Sequence, residues 1–177
     1  MDFLQLAASR QSDRAYEHRP VEREKLERIL QAACLAPSAC NAQPWKFVVV
    51  DDPELARRLG KAAAGLGMNQ FAKEAPVHIL IVEESMNLTS FLGAKIKDKY
   101  FPLIDIGIAA AHITLAAESE GLGSCIVGWF DEKEMKRLVG IPAGKRLLLD
   151  VVVGYAAKPK RKKSRKDLDK VVSYNHY

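Results

Sequence analysis

The chain has 177 residues, 48% hydrophobic and 28% charged, a balance that predicts one globular domain over residues 1–177 and excludes fibrous and disordered classes. No apolar run approaches the roughly 20 residues needed to cross a bilayer, and Met1-Asp2-Phe3-Leu4 lacks the basic start and long apolar stretch of a signal peptide, so the expected location is cytoplasmic. Cys34, Cys40 and Cys125 show no C-x-x-C spacing, and His18, His78, His112 and His176 are scattered, so neither a disulfide framework nor a metal site is expected.

Asp2 is placed to cap a short helix ending at Arg10, with Phe3, Leu6 and Ala7 on one face. The segment that follows reads Arg10-Gln11-Ser12-Asp13-Arg14. Two guanidinium forks and a hydroxyl on one short stretch match the oxygens of a phosphate, though a solvated basic turn has the same composition. After Pro20, residues 21–36 place Leu26, Ile29, Leu30 and Ala33 at i, i+3, i+4 and i+7, which predicts an amphipathic helix. It stops at Pro37. A polar bend then offers Ser38, Asn41 and Gln43, Pro44 closes it, and residues 45–50 read as a buried strand. Such a bend is either a site held between two rigid elements or ordinary helix-to-strand punctuation.

Asp52 and Pro53 open a further predicted helix with Leu55, Leu59 and Ala62 inward, ended by Gly65 and Gly67. Residues 77–82 are almost continuously apolar, as in a central strand, with His78 expected to be a satisfied sheet residue. Residues 83–100 show no strong period and read as a mobile flap or partner-contacting segment. A helix over residues 102–120 is apolar nearly all round, so it must be buried in the domain or against a second subunit. Gly121-Leu-Gly-Ser-Cys-Ile-Val-Gly128 follows a helix and predicts a short strand. That order excludes the dinucleotide fingerprint, which needs its glycines between a strand and a helix. Glycine at the strand end allows a flat ring to approach backbone N–H groups. Asp131 and Glu134 resemble a capping box for a helix to about Gly140, and residues 147–155 form the last predicted strand.

The positive charge is local. Seven bases and no acids fall within residues 158–166, more than the whole excess of +5, so the rest of the chain is net −2. This predicts a single anion-binding or solvated strip. Without interleaved aromatics for base stacking, the strip argues against nucleic acid as the partner.

Five segments in order resemble the nitroreductase family of FMN-dependent oxidoreductases. They are the Arg-x-Ser-x-Arg run, the bend Ala-Pro-Ser-x-x-Asn-x-Gln-Pro-Trp, the Asn before Ala75-Pro76, the segment from Gly121 to Gly128, and the late Lys163-Ser164-Arg165. The resemblance covers nearly the whole chain, as a short single-domain member. It implies an α+β fold of three layers, α/β/α, with a mixed, mainly antiparallel sheet. It also implies an intertwined homodimer with FMN at the interface, residues 158–177 wrapping the partner subunit. The activity implied is use of NAD(P)H to reduce nitroaromatics, quinones or similar acceptors, by ping-pong hydride transfer through flavin N5.

Carried over residue by residue, the resemblance assigns Arg10, Gln11, Ser12 and Arg14 to the FMN phosphate and ribityl chain, with Lys163 and Arg165 closing on the phosphate. Pro37, Ser38, Ala39 and Asn41 would line the flavin from the second subunit. Asn69 would reach its polar edge, and the backbone of Val127, Gly128 and Trp129 would face N5 and O4. No side chain is assigned as acid, base or nucleophile, and no metal is implied. Two other readings stand beside this one: a flavin enzyme of the same fold for reductive dehalogenation or flavin fragmentation, and a non-enzymatic phosphate or nucleic-acid binder using the basic strip.

Overall fold

Alternation along one strand decides the layering. In Val77–Glu83 every residue but the last is buried, so both faces of this strand must be covered. Val77, Ile79 and Ile81 enter one hydrophobic cluster, Leu80 and Val82 another. The computed structural model describes residues 1–65, 67–84 and 99–177. The expected flap over residues 83–100 therefore falls almost wholly outside the described residues.

Four strands, β1 (Trp45–Val50), β2 (Val77–Glu83), β3 (Gly123–Val127) and β4 (Leu147–Gly154), form one sheet in the order β1-β2-β4-β3. Every pairing is antiparallel, from Trp45 opposite Glu83 to Gly123 opposite Gly154. The expectation of a mixed sheet is thus corrected: among the described residues the one parallel contact is an isolated bridge between Ser12 and Ser124. Opposite β4, the partner of β2 moves from Leu149 to Leu147 between Ile81 and Val82, leaving Leu148 as an extra residue.

Helices cover both faces. On one side lie α2 (Arg23–Cys34) and α4 (Phe101–Ser119), which bring Leu26, Ile29, Ala33, Ile106, Ala110 and Ile113 onto Ile79, Ile81, Val151 and Val153. Arg28 closes α2 onto the end of α4 through a two-bond fork to the Glu120 carboxylate at 2.8 and 2.7 Å. On the other side lie α3 (Pro53–Ala64) and α5 (Glu132–Val139), packed on Leu80, Val82, Val127 and Val152. Each fully buried Leu or Ile in these layers contributes about 1.5–3 kcal/mol. The first helix, α1 (Phe3–Ser9), carries the full capping box, Asp2 accepting from the Gln5 amide while Gln5 returns to Asp2.

Two expectations shift. The buried stripe of α3 runs through Ala56, Leu59, Gly60 and Ala63, with Leu55 and Ala62 at its margins. And α4, at 19 residues with a mean hydropathy of 1.4, is long and apolar enough by length and composition to cross a bilayer, although no such run was expected. Here it is packed against α2 and the sheet, with Asp105, Ile106, Ala109, Ala110, Ile113 and Ala117 among its buried residues.

His78 is only half satisfied. Its Nδ1 lies 2.8 Å from Asp150 Oδ2, both side chains fully buried, while Nε2 and Asp150 Oδ1 have no partner among the described residues. Removing one member strands the other, whereas removing both leaves an apolar layer. His78→Leu is expected to cost about 3–5 kcal/mol and Asp150→Leu about 1–3 kcal/mol, with the double replacement costing less than either. A urea-denaturation double-mutant cycle measures this, and additive losses would refute the pairing.

Candidate functional site

The site begins at a sheet edge. Among the described residues β3 has no strand partner on its outer side, and the chain from Gln11 to Glu17 passes along that edge at Ser124 and on to the exit of β4. Asp13 N–H donates to Ser124 O at 2.9 Å, Glu17 N–H to Tyr155 O at 2.9 Å, and Ala157 N–H returns to Ala15 O at 3.0 Å. The N-terminal run is therefore threaded between β3 and the exit of β4. This places the basic strip, which leaves β4 immediately afterwards, beside Arg10-Gln11-Ser12-Asp13-Arg14.

There the two ends of the chain form a cradle of about 360 Å³, walled by Arg10, Gln11, Ser12, Arg14, Arg161, Lys162, Lys163, Ser164 and Arg165. All six residues assigned from the sequence to the phosphate end are in it. Six of these nine described walls are cationic and none of the nine is acidic. The cations are held by neutral oxygens: Arg161 Nη2 donates to Ser12 O at 2.9 Å, Lys163 Nζ to Ala7 O at 2.5 Å, and Arg165 Nη1 to Ser164 O at 2.7 Å. Arg14 also lies 5.9 Å from the Phe71 ring centroid. Partial burial pushes the Lys163 ammonium below its ordinary value, with the charges of Arg10 and Arg165 adding to the shift. Such a cluster has the charge and the donors that suit an oxyanion.

Behind the cradle the polar groups are buried. Asp13 Oδ1 accepts from Gln11 Nε2 at 2.7 Å, and Tyr16 OH donates to Asp13 O at 2.9 Å. Burial, reinforced by Cys125 and Asp13, pushes the Tyr16 phenol well above its ordinary range, so it remains a donor. Burial also raises the Cys125 thiol, which makes this cysteine a packing residue rather than a nucleophile. Gly123 is required here, because a Cβ would sit 2.8 Å from Asp13 Oδ2.

A second group of assigned residues gathers at the other end of β3. Asn69 Nδ2 donates to Trp129 O at 2.9 Å and reaches Ala63 O at 3.4 Å, so the amide nitrogen is committed to its own chain and only its oxygen is left for a ligand. Val127 is buried in the sheet, and Trp129 is 60% exposed, its Cδ1 beside Gly65. Pro37, Ser38, Ala39 and Asn41 do not wall the cradle. They form a separate bend, in which Ser38 Oγ accepts from Gln43 N–H at 2.9 Å and Cys40, Asn41 and Gln43 all take positive φ. Asp105 anchors this bend by accepting the Ala39 N–H at 3.1 Å.

Sequence reasoning missed Arg161, Asp13 and Asp105. Arg161 was one base among seven, whereas a lone Asp between Ser12 and Arg14, and a lone Asp in an otherwise apolar helix, were available signals.

The nitroreductase family profile matches residues 7–155. An NADH dehydrogenase of Thermus thermophilus is 29% identical, over 97% of this chain and 95% of its own length. An iodotyrosine deiodinase of Thermotoga neapolitana is 28% identical over 97% of both chains. A solved FMN-dependent nitroreductase from Clostridium difficile superimposes with a TM-score of 0.79 at 30% identity, covering 99% of this chain and 100% of that one. The chain belongs to the nitroreductase family. It is an oxidoreductase of that family.

The Lys163 shift has a pH consequence. An oxyanion favours the charged ammonium, so binding holds the proton on, and affinity falls as pH rises through the depressed value of the free protein. Inorganic pyrophosphate titrations are expected to weaken at a pH below the ordinary lysine value of 10.5. Lys163→Arg should move that loss to higher pH. An unchanged pH profile in this variant would remove Lys163 from the cradle's titration.

Proposed function

We propose that the protein is an FMN-dependent oxidoreductase, cytoplasmic and homodimeric, that uses NAD(P)H to reduce nitroaromatics, quinones or similar small acceptors. The supporting observation is the cradle, in which cations from both ends of the chain converge without an acid. Its donor set fits the FMN phosphate: guanidinium forks, an ammonium and the Ser12 hydroxyl match a dianion and its neighbouring hydroxyls. Arg10, Gln11, Ser12, Arg14, Lys163 and Arg165 would hold that end. When bound, FMN supplies the hydride-accepting and hydride-donating chemistry.

The remaining residues orient and enclose. Among the described residues, its two chain neighbours aside, a Cβ on Gly128 would meet nothing closer than Leu149 Cδ2, at 3.8 Å. Its small size is therefore not demanded by the fold, which suits close approach of a ring from outside. Asn69, by holding the Trp129 carbonyl, would fix the backbone of Val127, Gly128 and Trp129 against the ring's polar edge. Pro37, Ser38, Ala39 and Asn41, held by Asp105, would come from a second copy. An apolar groove of about 690 Å³ between α1 and α4, lined by Phe3, Leu6, Ile104, Ile108 and Leu115, supports such a copy. Residues 158–177 carry exposed Leu168, Val171 and Tyr174, suited to wrapping the partner.

The deiodinase relative favours a second reading, reductive dehalogenation on the same site. Turnover of halogenated phenols against nitroaromatics separates the two.

The visible spectrum of the purified protein tests the main reading. Flavin bands that bleach with NADH or NADPH under argon and return with a nitroaromatic or quinone are expected. A colourless protein that takes up no FMN would refute it. For the assembly, Ile104→Glu is expected to shift the dimer to monomer by analytical ultracentrifugation, and an unchanged mass would place the interface elsewhere.

A further inference from the structure

The cradle's cations come from segments about 150 positions apart, and something must set how the second lies on the first. Asp13 is 4% exposed, a carboxylate placed behind a cluster of bases yet forming no ion pair with any of them. Oδ1 takes a hydrogen bond from Gln11 Nε2 at 2.7 Å, while Oδ2 has no hydrogen-bond partner among the described residues and lies against Gly123. Burying a half-satisfied carboxylate is unfavourable. Its effect on Gln11 supplies a reason for it.

A carboxylate only accepts. Gln11, itself 8% exposed, must therefore turn its Nε2 toward Asp13, and its Oε1 is then directed to the other side. There it accepts the backbone N–H of Arg161 at 3.0 Å. With Arg161 caught by its main chain, its guanidinium reaches Ser12 O at 2.9 Å, and Lys163 and Arg165 follow at alternate positions. Asp13 is fixed in turn by its N–H on Ser124 O and by Tyr16 OH on its carbonyl. Arg161 lies beyond the residues matched by the family profile, which end at 155.

We infer that Asp13 is a positioning residue for the anion cradle: it sets the polarity of the Gln11 amide and, through it, the seating of residues 161–165 on the N-terminal run. The inference rests on the proposed FMN reading only in its choice of ligand. A neutral apolar side chain at position 13 frees the Gln11 amide to turn, and the Arg161 N–H loses its fixed acceptor. Asparagine, which still offers an oxygen to Gln11 Nε2, preserves the arrangement.

The test compares FMN with riboflavin, which lacks the phosphate, and measures hydrogen exchange at the Arg161 amide without ligand. Asp13→Leu is expected to weaken FMN about 10- to 100-fold while leaving riboflavin within about threefold, and to speed Arg161 exchange about tenfold or more. Asp13→Asn should stay within about threefold of the parent on each measure, and Gln11→Leu should reproduce Asp13→Leu, the double variant losing nothing further. An unchanged FMN-over-riboflavin preference together with unchanged Arg161 exchange in Asp13→Leu would overturn the inference. So would equal losses for both flavins in Asp13→Leu and Asp13→Asn, the signature of a general folding role. If the parent protein bound FMN no more tightly than riboflavin, the flavin reading would fail, and the Arg161 exchange rates would still decide this one.

Discussion

Mutual repulsion among six cations is the constraint that this structure is organised to bear. Arg10, Arg14, Arg161, Lys162, Lys163 and Arg165 share one cradle, and no carboxylate within it offsets them. Left to electrostatics, the N-terminal run and the basic strip would separate. They are held by uncharged acceptors on the N-terminal run, the main-chain Ala7 O and Ser12 O and the Gln11 side-chain amide. Neutral acceptors fix geometry without cancelling charge. A carboxylate in the same positions would grip the bases more strongly and repel the anion they are arranged to receive.

The sheet makes this possible through its edge. An antiparallel order of β1-β2-β4-β3 leaves β3 outermost and ends β4 beside its start, at Gly154 opposite Gly123. The chain before α2 bonds to that edge at Ser124 and to the exit of β4 at Tyr155, which pairs part of the strand edge. The two helical layers then serve different ends. The α3 and α5 layer brings Asn69 to the Trp129 carbonyl, whereas α4 sends Asp105 to the bend at Ala39 and leaves Leu103 and Ile104 each 55% exposed.

How far the sequence reveals this depends on whether the signal is local. Arg10, Ser12, Arg14, Lys163 and Arg165 are legible because unlike residues repeat at short spacing. The strands and most helices are legible from period and caps, with β1 falling on the expected residues. On α3 the inward Leu59 is legible but the full stripe is not, since it depends on a contact with the turn that follows the helix. A Cβ on Gly60 would meet Ala72 O at 2.5 Å, so the turn Gln70–Lys73 presses onto the glycine and draws the buried stripe round to it. The mainly antiparallel sense agrees with expectation, but that the described sheet is wholly antiparallel rather than mixed is not legible in the strands themselves. The crossings that fix it run through α4 and α5, and no residue within a strand encodes its neighbour's sense. Asp13 and Asp105 were overlooked because an isolated Asp reads as solvated until its acceptor role across the fold is seen.

The depressed Lys163 ammonium and the buried Asp13 carboxylate describe two sides of the same balance. Lys163 is shifted down by lost hydration and by Arg10 and Arg165, so its charge is maintained against opposition in the free protein. An oxyanion entering the cradle removes that opposition, and part of its affinity is relief of repulsion already present. Asp13 could have provided the relief permanently by facing the cations. Its oxygens face Gln11 and Gly123 instead, one of them without a hydrogen-bond partner among the described residues, and it forms no ion pair with the bases. The fold thus uses the carboxylate's directionality as an acceptor without pairing it to a base, which orders the cradle while leaving it positive.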